Sequence, residues 1–209
     1  QASLAGYVAA IVAAERLGVP LSSVNVRIGN SSLPNGPGSG GSGTCPGTAP
    51  AMAAAAEDAK KKLLEMLAQN AGGDAAEFEI KDGAILRAGK PFLKWAEACA
   101  KIGGDAITGR GNSQAGAGIY TPDTGNSHGA QFAEIEVDIE TGIIRVKRIV
   151  AVQACGRVIF RKGAESQIIG SVIQGISFAL FENRILDRTT GAMVNANLAR
   201  GTAGTSPPV

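Results

Sequence analysis

Residues 129–150 read GAQFAEIEVDIETGIIRVKRIV, and this stretch decides the fold class. Polar and apolar residues alternate over 132–138, which is the period of a half-buried strand. Ile139-Glu140-Thr141-Gly142 supplies a turn, and residues 143–152 return with β-branched side chains at the same period. The pattern predicts an antiparallel hairpin packed on helices. Downstream, residues 163–182 carry helical periodicity, with small residues Gly170, Ser171, Gly175 and Ser177 that let another backbone or a ligand come close. Residues 185–194 predict a small hairpin around Asp187-Arg188-Thr189-Thr190-Gly191. The end, 199–209, has no apolar period and is expected to be poorly ordered or to lie on a partner surface.

Upstream, residues 4–17 predict an alanine-rich helix stopped by Gly18 and Pro20. Residues 23–28 alternate and predict a strand. Residues 30–50, crowded with Gly, Ser, Pro and Thr, are by composition either a flexible linker or a ligand-cradling loop. Residues 51–69 predict the longest helix, with Leu63, Leu64, Met66 and Leu67 on its buried stripe. Lys81-Asp82-Gly83 between Phe78, Ile80 and Ile85, Leu86 signals a hairpin. Residues 91–102 predict a shorter helix opened by Pro91, and 103–127 a long exposed loop. The whole is α+β: antiparallel sheets with helices packed on one face, in two intertwined subdomains of about 1–75 and 76–198.

Composition narrows the function classes. The chain has 209 residues, 44% hydrophobic and 18% charged, which describes a globular chain rather than a disordered one. Its net charge of +2 gives no field that would draw nucleic acid or anionic lipid. No run approaches the length of a membrane span, and Gln1-Ala2-Ser3 has no basic leader, so a cytoplasmic location is expected, with the periplasm open if a partner carries the chain out. Glycine is frequent, 29 residues, whereas aromatics are only 4%, so the core must be built from Ala, Ile, Val and Leu. Cys45, Cys99 and Cys155 are odd in number and far apart, which argues for a reducing compartment and for buried or loop thiols rather than nucleophiles. With His128 the single histidine, the usual zinc spacings are absent, and a turn histidine bonding backbone is expected there.

Two constellations could carry chemistry. Gly36-Pro37-Gly38-Ser39-Gly40-Gly41-Ser42-Gly43-Thr44 exposes consecutive backbone N–H groups and three hydroxyls ahead of a helix, as a phosphate nest would. No Gly-Lys-Ser/Thr follows and the dinucleotide spacing fails, so a general nucleotide-binding module lacks support, and a plain loop remains the other reading. Gln167 and Gln174 lie seven apart on one helix face beside glycines. Their amides either face solvent or pair with the edge of a heterocycle.

AERLGVP (14–20), GPGSGGS (36–42), the 129–150 hairpin, CGRVI (155–159), AESQIIGSVIQGISFALFENRILDRTTG (164–191) and NANL (195–198) together resemble the C-terminal part of the molybdopterin-binding large subunit of the xanthine dehydrogenase/aldehyde oxidoreductase family. The resemblance runs through nearly the whole chain in order. It implies a molybdenum-cofactor-binding-domain fold and hydroxylation of aldehydes or N-heterocycles with oxygen taken from water. It implies a molybdenum–molybdopterin cofactor, in some members a cytosine dinucleotide, held without protein ligands to the metal. The implied partners are the remainder of the large subunit and iron–sulfur and FAD subunits, with a small aldehyde or heterocycle as substrate. Carried over by position, Ser39, Gly40, Gly41, Ser42 and Thr44 match the loop on the cofactor's phosphate or nucleotide portion, and Gln167 matches a glutamine bonded to the pterin.

The chain departs from that pattern at Val8, at Gly43, Cys45 and Pro46 after the glycine run, at Ala154, at Phe160-Arg161 and at Ala199-Arg200-Gly201. The resemblance places the family's general-base glutamate beyond Val209, so no residue here is assigned as catalytic. The alternative is a scaffold or degenerate piece that keeps the fold without a working cofactor site.

Overall fold

The computed structural model describes residues 2–103, 106–113 and 128–195. The chain separates into two compact units, Gln1–Thr124 and Gly125–Val209; the expected division near residue 75 falls inside the first. The tail 199–209 and much of the expected 103–127 loop lie outside the described residues.

The first unit begins with α1 (Ala2–Leu17), closed by Gly18 at φ +65°. Val8, Ala9, Val12 and Ala13 form a buried stripe at helical spacing and meet Ala49, Ala53 and Ala56 of α2 (Thr44–Ala71). Small side chains on both helices let the two backbones come close, and Val12 and Ala53 are completely buried. Helix α2 has 28 residues and starts seven earlier than the composition suggests, running through Pro46 and Pro50. Pro46 sits in the first turn, where its missing N–H costs nothing, whereas Pro50 forfeits one internal hydrogen bond.

After α2 come β1 (Phe78–Lys81), β2 (Ala84–Arg87) and β3 (Lys90–Lys94), an antiparallel meander in the order β1-β2-β3. The first hairpin turns at Asp82 and Gly83, φ +50° and +75°, as the Asp-Gly signal predicts. The second turns at Ala88 and Gly89, φ +49° and +75°. There the expected helix over 91–102 gives way to a strand followed by α3 (Trp95–Lys101). Pro91 sits in β3 at the edge of the sheet, where a missing donor is tolerated. The Glu97 carboxylate accepts the Lys94 N–H and so starts α3 at Trp95.

Leu63, Leu67, Ala68, Phe78, Ile80, Ile85 and Ala98 form the core between α2, α3 and this sheet. Arg87 ties the sheet to the end of α2, donating to Gly72 O at 2.6 Å and to Glu77 at 2.9 Å while lying over the Phe78 ring. The strand expected over 23–28 is absent: Leu21–Ser23 is a 3-10 turn and 24–28 pairs with no strand. Instead, Val26 and Ile28 lie near Gly6 of α1. Alternation alone makes a strand only where a sheet edge is available to pair with it.

The second unit contains β4 (His128–Val137), β5 (Ile144–Ala154) and α4 (Arg161–Leu180). The hairpin pairs from His128↔Ala154 to Val137↔Ile144 with one bulge after Glu134. Asp138 builds its turn, its carboxylate accepting from the N–H groups of Glu140 and Thr141. His128 is the exposed first residue of β4 rather than a turn residue. The 185–194 hairpin reduces to one bridge, Leu186↔Met193, steadied by the buried Asn195, which accepts from Ile185 N–H and donates to Asn183 O. Helix α4 turns Ala164, Ile168, Val172 and Ile176 inward, but β4 is exposed along its whole length. Both sheets are antiparallel and the fold is α+β, as the sequence pattern predicts. No helix among the described residues is long and apolar enough to cross a membrane.

Candidate functional site

The glycine-rich segment forms a turn capping the long helix. Ser39 has right-handed backbone angles, φ −94° and ψ −9°, and Gly40–Ser42 is a 3-10 turn. Gly41 (φ +60°, ψ +26°) and Ser42 (φ +59°) are left-handed, and Gly43 returns to φ −71°. A left-handed residue followed by a right-handed one aims successive N–H groups into one concavity, the geometry of an anion nest. Only a residue without Cβ takes the Gly41 angles cheaply, whereas Ser42 bears some strain.

The two sides of this turn differ. On the inside, a Cβ on Gly43 would lie 3.2 Å from the carbonyl oxygens of Gly38 and Gly40, and one on Gly47 would lie 2.6 Å from Pro37. These glycines press the loop onto the first turn of α2. On the outside, a Cβ on Gly36, Gly38, Gly40 or Gly41 would meet nothing within 4 Å, so the backbone there is open to a ligand.

Helix α2 starts at Thr44 with no side-chain cap and no acidic residue in its first turn. Its first internal bond is Gly47 N–H to Gly43 O, 3.1 Å. The positive end of a 28-residue helix dipole therefore faces the turn without a counter-charge. Thr44 Oγ1 is buried and has no hydrogen-bond partner among the described residues, a condition that costs about 1–3 kcal/mol for a polar group without compensation. Cys45 is exposed on the first turn of α2, and partial desolvation by its neighbours raises its thiol above the ordinary value, so no thiolate competes for the position. No Lys or Arg stands between Arg27 and Lys60. The turn thus offers N–H groups, hydroxyls and a helix dipole, a donor set that fits phosphate oxygens.

Ser39, Gly40, Gly41, Ser42 and Thr44 are brought together here, all in the first unit. Gln167 belongs to the second, on α4, where it is exposed; its backbone carbonyl accepts the Ser171 hydroxyl at 3.0 Å. Its carboxamide makes no hydrogen bond among the described residues. Gly170 and Gln174 share that face, and a Cβ on Gly170 would meet nothing within 4 Å. The face is open to a planar polar group. Of the three free cysteines, Cys155 is an exposed loop residue and Cys99 is half-buried on α3, but Cys45 is an exposed helix residue, neither buried nor in a loop.

Sequence reasoning missed one polar cluster. The Asp58 carboxylate accepts from Lys62 Nζ at 2.7 Å and from Arg110 N–H at 2.8 Å, and Lys62 also donates to Thr108 O. The Lys62 hydrogen bond, then the Arg110 one, holds the Asp58 carboxyl below its usual range. A Cβ on Gly109 or Gly111 would collide with the α2 backbone around Ala55. Residues 108–111 therefore form a strap laid directly on α2. The alternate glycines of Gly109-Arg110-Gly111 were the available signal.

Comparison with known proteins places the chain in a family and a fold. The family model described as molybdopterin cofactor-binding domain matches residues 6–202. The aldehyde oxidoreductase molybdenum-binding subunit PaoC of Escherichia coli K12 is 37% identical over 190 residues, which is 90% of this chain and 24% of that protein. The nicotine 6-hydroxylase large subunit of Paenarthrobacter nicotinovorans is 28% identical over 187 residues, 84% of this chain and 22% of that one. Among solved structures, reconstituted CO dehydrogenase from Oligotropha carboxidovorans has the same fold, with a TM-score of 0.75 at 22% identity over 97% of this chain and 26% of that one. The chain spans about a quarter of the length of the curated relatives it matches.

Proposed function

Because the chain belongs to the molybdopterin cofactor-binding domain family, we propose that it is part of the large subunit of a molybdenum hydroxylase that oxidises aldehydes or N-heterocycles. In this reading Ser39, Gly40, Gly41, Ser42 and Thr44 hold the phosphate or nucleotide end of the cofactor, and Gln167 hydrogen-bonds the pterin. The single observation that carries it is the uncapped start of α2, with its left-handed turn and the orphaned Thr44 hydroxyl.

The redox chemistry, with oxygen taken from water, is supplied by the bound cofactor. The chain's own residues bind and orient. The open N–H groups of the 39–42 turn and the Thr44 hydroxyl neutralise phosphate charge without a lysine. The Gln167 carboxamide can both donate to and accept from a heterocycle edge. The general base lies outside these residues. Electrons leave for iron–sulfur and FAD subunits, and the remainder of the large subunit completes the substrate pocket. A cytosine dinucleotide extension of the pterin fits an open loop as readily as a bare phosphate. The apolar side chains that the second unit leaves in solvent support a covering partner. A cytoplasmic location goes with this reading.

The test is cofactor content rather than turnover. The chain, purified in its complete assembly, is assayed for molybdenum and released pterin, alongside Gly41→Val, Thr44→Val and Gln167→Ala. The first two should lower both contents together, and Gln167→Ala should lower them less. Full content in all three variants would reject the site. A complete wild-type assembly without molybdenum or pterin would favour the scaffold alternative.

A further inference from the structure

A cleft of about 410 Å³ opens in the first unit between α1, α2 and α3, its walls including Leu17, Ala59, Leu63, Trp95, Cys99 and Ile107. The cleft is partly open to solvent, and its volume is in the range of small-molecule sites. None of the lining side chains carries a charge. The cleft's polar side-chain groups are the Trp95 indole N–H and the Cys99 thiol, and partial burial raises that thiol above its ordinary value. One wall is also built with care. Ile107 immediately precedes the strap that Asp58 and Lys62 fasten to α2, and Gly109 and Gly111 let that strap lie flush on the helix. The wall is therefore held from outside by polar bonds, without intruding on the cleft.

We infer that this cleft is a binding site for an uncharged aromatic molecule of one or two rings. A charged ligand would lose its hydration with no partner in return. A flat ring would gain apolar contact with Leu63 and Ile107 and a ring contact with Trp95. The site lies wholly in the first unit and shares no residue with the 39–44 turn, so it stands apart from the proposed cofactor function.

Trp95 is the only tryptophan of the chain, so its indole N–H gives one resonance in a nitrogen-15 spectrum of the 209-residue protein. Titration with unlabelled indole should shift that resonance saturably. At ten times the dissociation constant, indole should also slow alkylation of Cys99 by N-ethylmaleimide about tenfold, while the exposed Cys45 and Cys155 react at unchanged rates. Ala59→Leu, which fills the cleft, should abolish the shift and the protection with circular dichroism unchanged. If that variant does not fold, the wild-type Cys99 protection decides alone. A shift that stays linear in indole, equal protection of all three cysteines, or a Cys99 unreactive before indole is added would each overturn the site.

Discussion

The first unit places Val12, Ala53, Leu67, Ile85 and Ala98 out of solvent, whereas the second leaves Phe132 65% exposed and Ile173 61% exposed and buries only Gly163 and Asn195 among its described residues. Both units are rich in Ile, Val and Ala, so the difference is one of layers. The first unit stacks α1 on α2 and lays a three-stranded sheet against α2 and α3. The second has a two-stranded ribbon and one helix. A ribbon and helix have too little surface to enclose each other, and an isolated two-stranded ribbon is marginal in water. The second unit's apolar residues are thus arranged for neighbours outside itself, while the first unit carries its own core.

That contrast is broken most readily by truncation. Ile85→Ala should cost about 2–5 kcal/mol, read as the urea midpoint of Trp95 fluorescence, which reports the first unit. Phe132→Ala should change stability of the same chain by no more than about 0.5 kcal/mol. Equal costs would mean that the second unit has a core of its own. In an assembly that covers the hairpin, Phe132→Ala should rise toward the core value.

Next in size is the strap. Gly109→Ala forces a methyl group into the α2 backbone near Ala55, and overpacking of this kind costs about 1–3 kcal/mol. Gly170→Ala, on α4 of the second unit, meets open space. It should be neutral or slightly stabilising through helix propensity. A Gly109→Ala protein with an unchanged midpoint would show that the strap is dispensable to the first unit.

Much of this architecture was legible, and its failures share a cause. Asp82-Gly83 announces a tight hairpin because both residues accept left-handed angles, but Ala88-Gly89 makes the same turn with a residue that rarely does. With no turn signal at 88–89, Pro91 reads as the first residue of a helix over 91–102, whereas it lies in β3. Residues 23–28 alternate as a strand does, yet strand formation depends on an edge that no local pattern reveals. The start of α2 was hidden by Pro46 and Pro50, local breakers that tertiary packing on α1 outweighs. Within the site, the glycine run and the helix after it were visible in order. The orphaned Thr44 hydroxyl and the strap bonds span contacts that only coordinates show.

A smaller effect separates the 39–44 turn from everything in the second unit. Thr44→Val removes a buried hydroxyl that has no partner among the described residues, so the chain should gain about 1 kcal/mol. Pyrophosphate should stabilise the wild-type first unit, raising the Trp95 midpoint, and should do so less in Thr44→Val. A loss of stability in that variant without added anion would mean that the hydroxyl is already satisfied.

The smallest effect concerns carboxylates and tests what each unit does with them. Asp138 and Asp187 in the second unit are held below their ordinary range by backbone N–H groups two or three residues away. Asp58 in the first is held there by Lys62 and by Arg110, 52 residues distant. A carboxyl depressed in the folded state contributes stability above its unfolded pKa and loses it as pH falls through the folded one, because the unfolded chain takes up the proton first. The Trp95 midpoint should therefore be insensitive to this group near neutrality and should fall as pH drops below the ordinary aspartate range. Asp58→Asn should flatten that fall, since its amide carries no titrating charge. Asp138→Asn should leave the Trp95 midpoint untouched, since that carboxylate lies in the second unit and Trp95 reports the first. If both variants changed the acid limb equally, the strap would be no more than another surface loop.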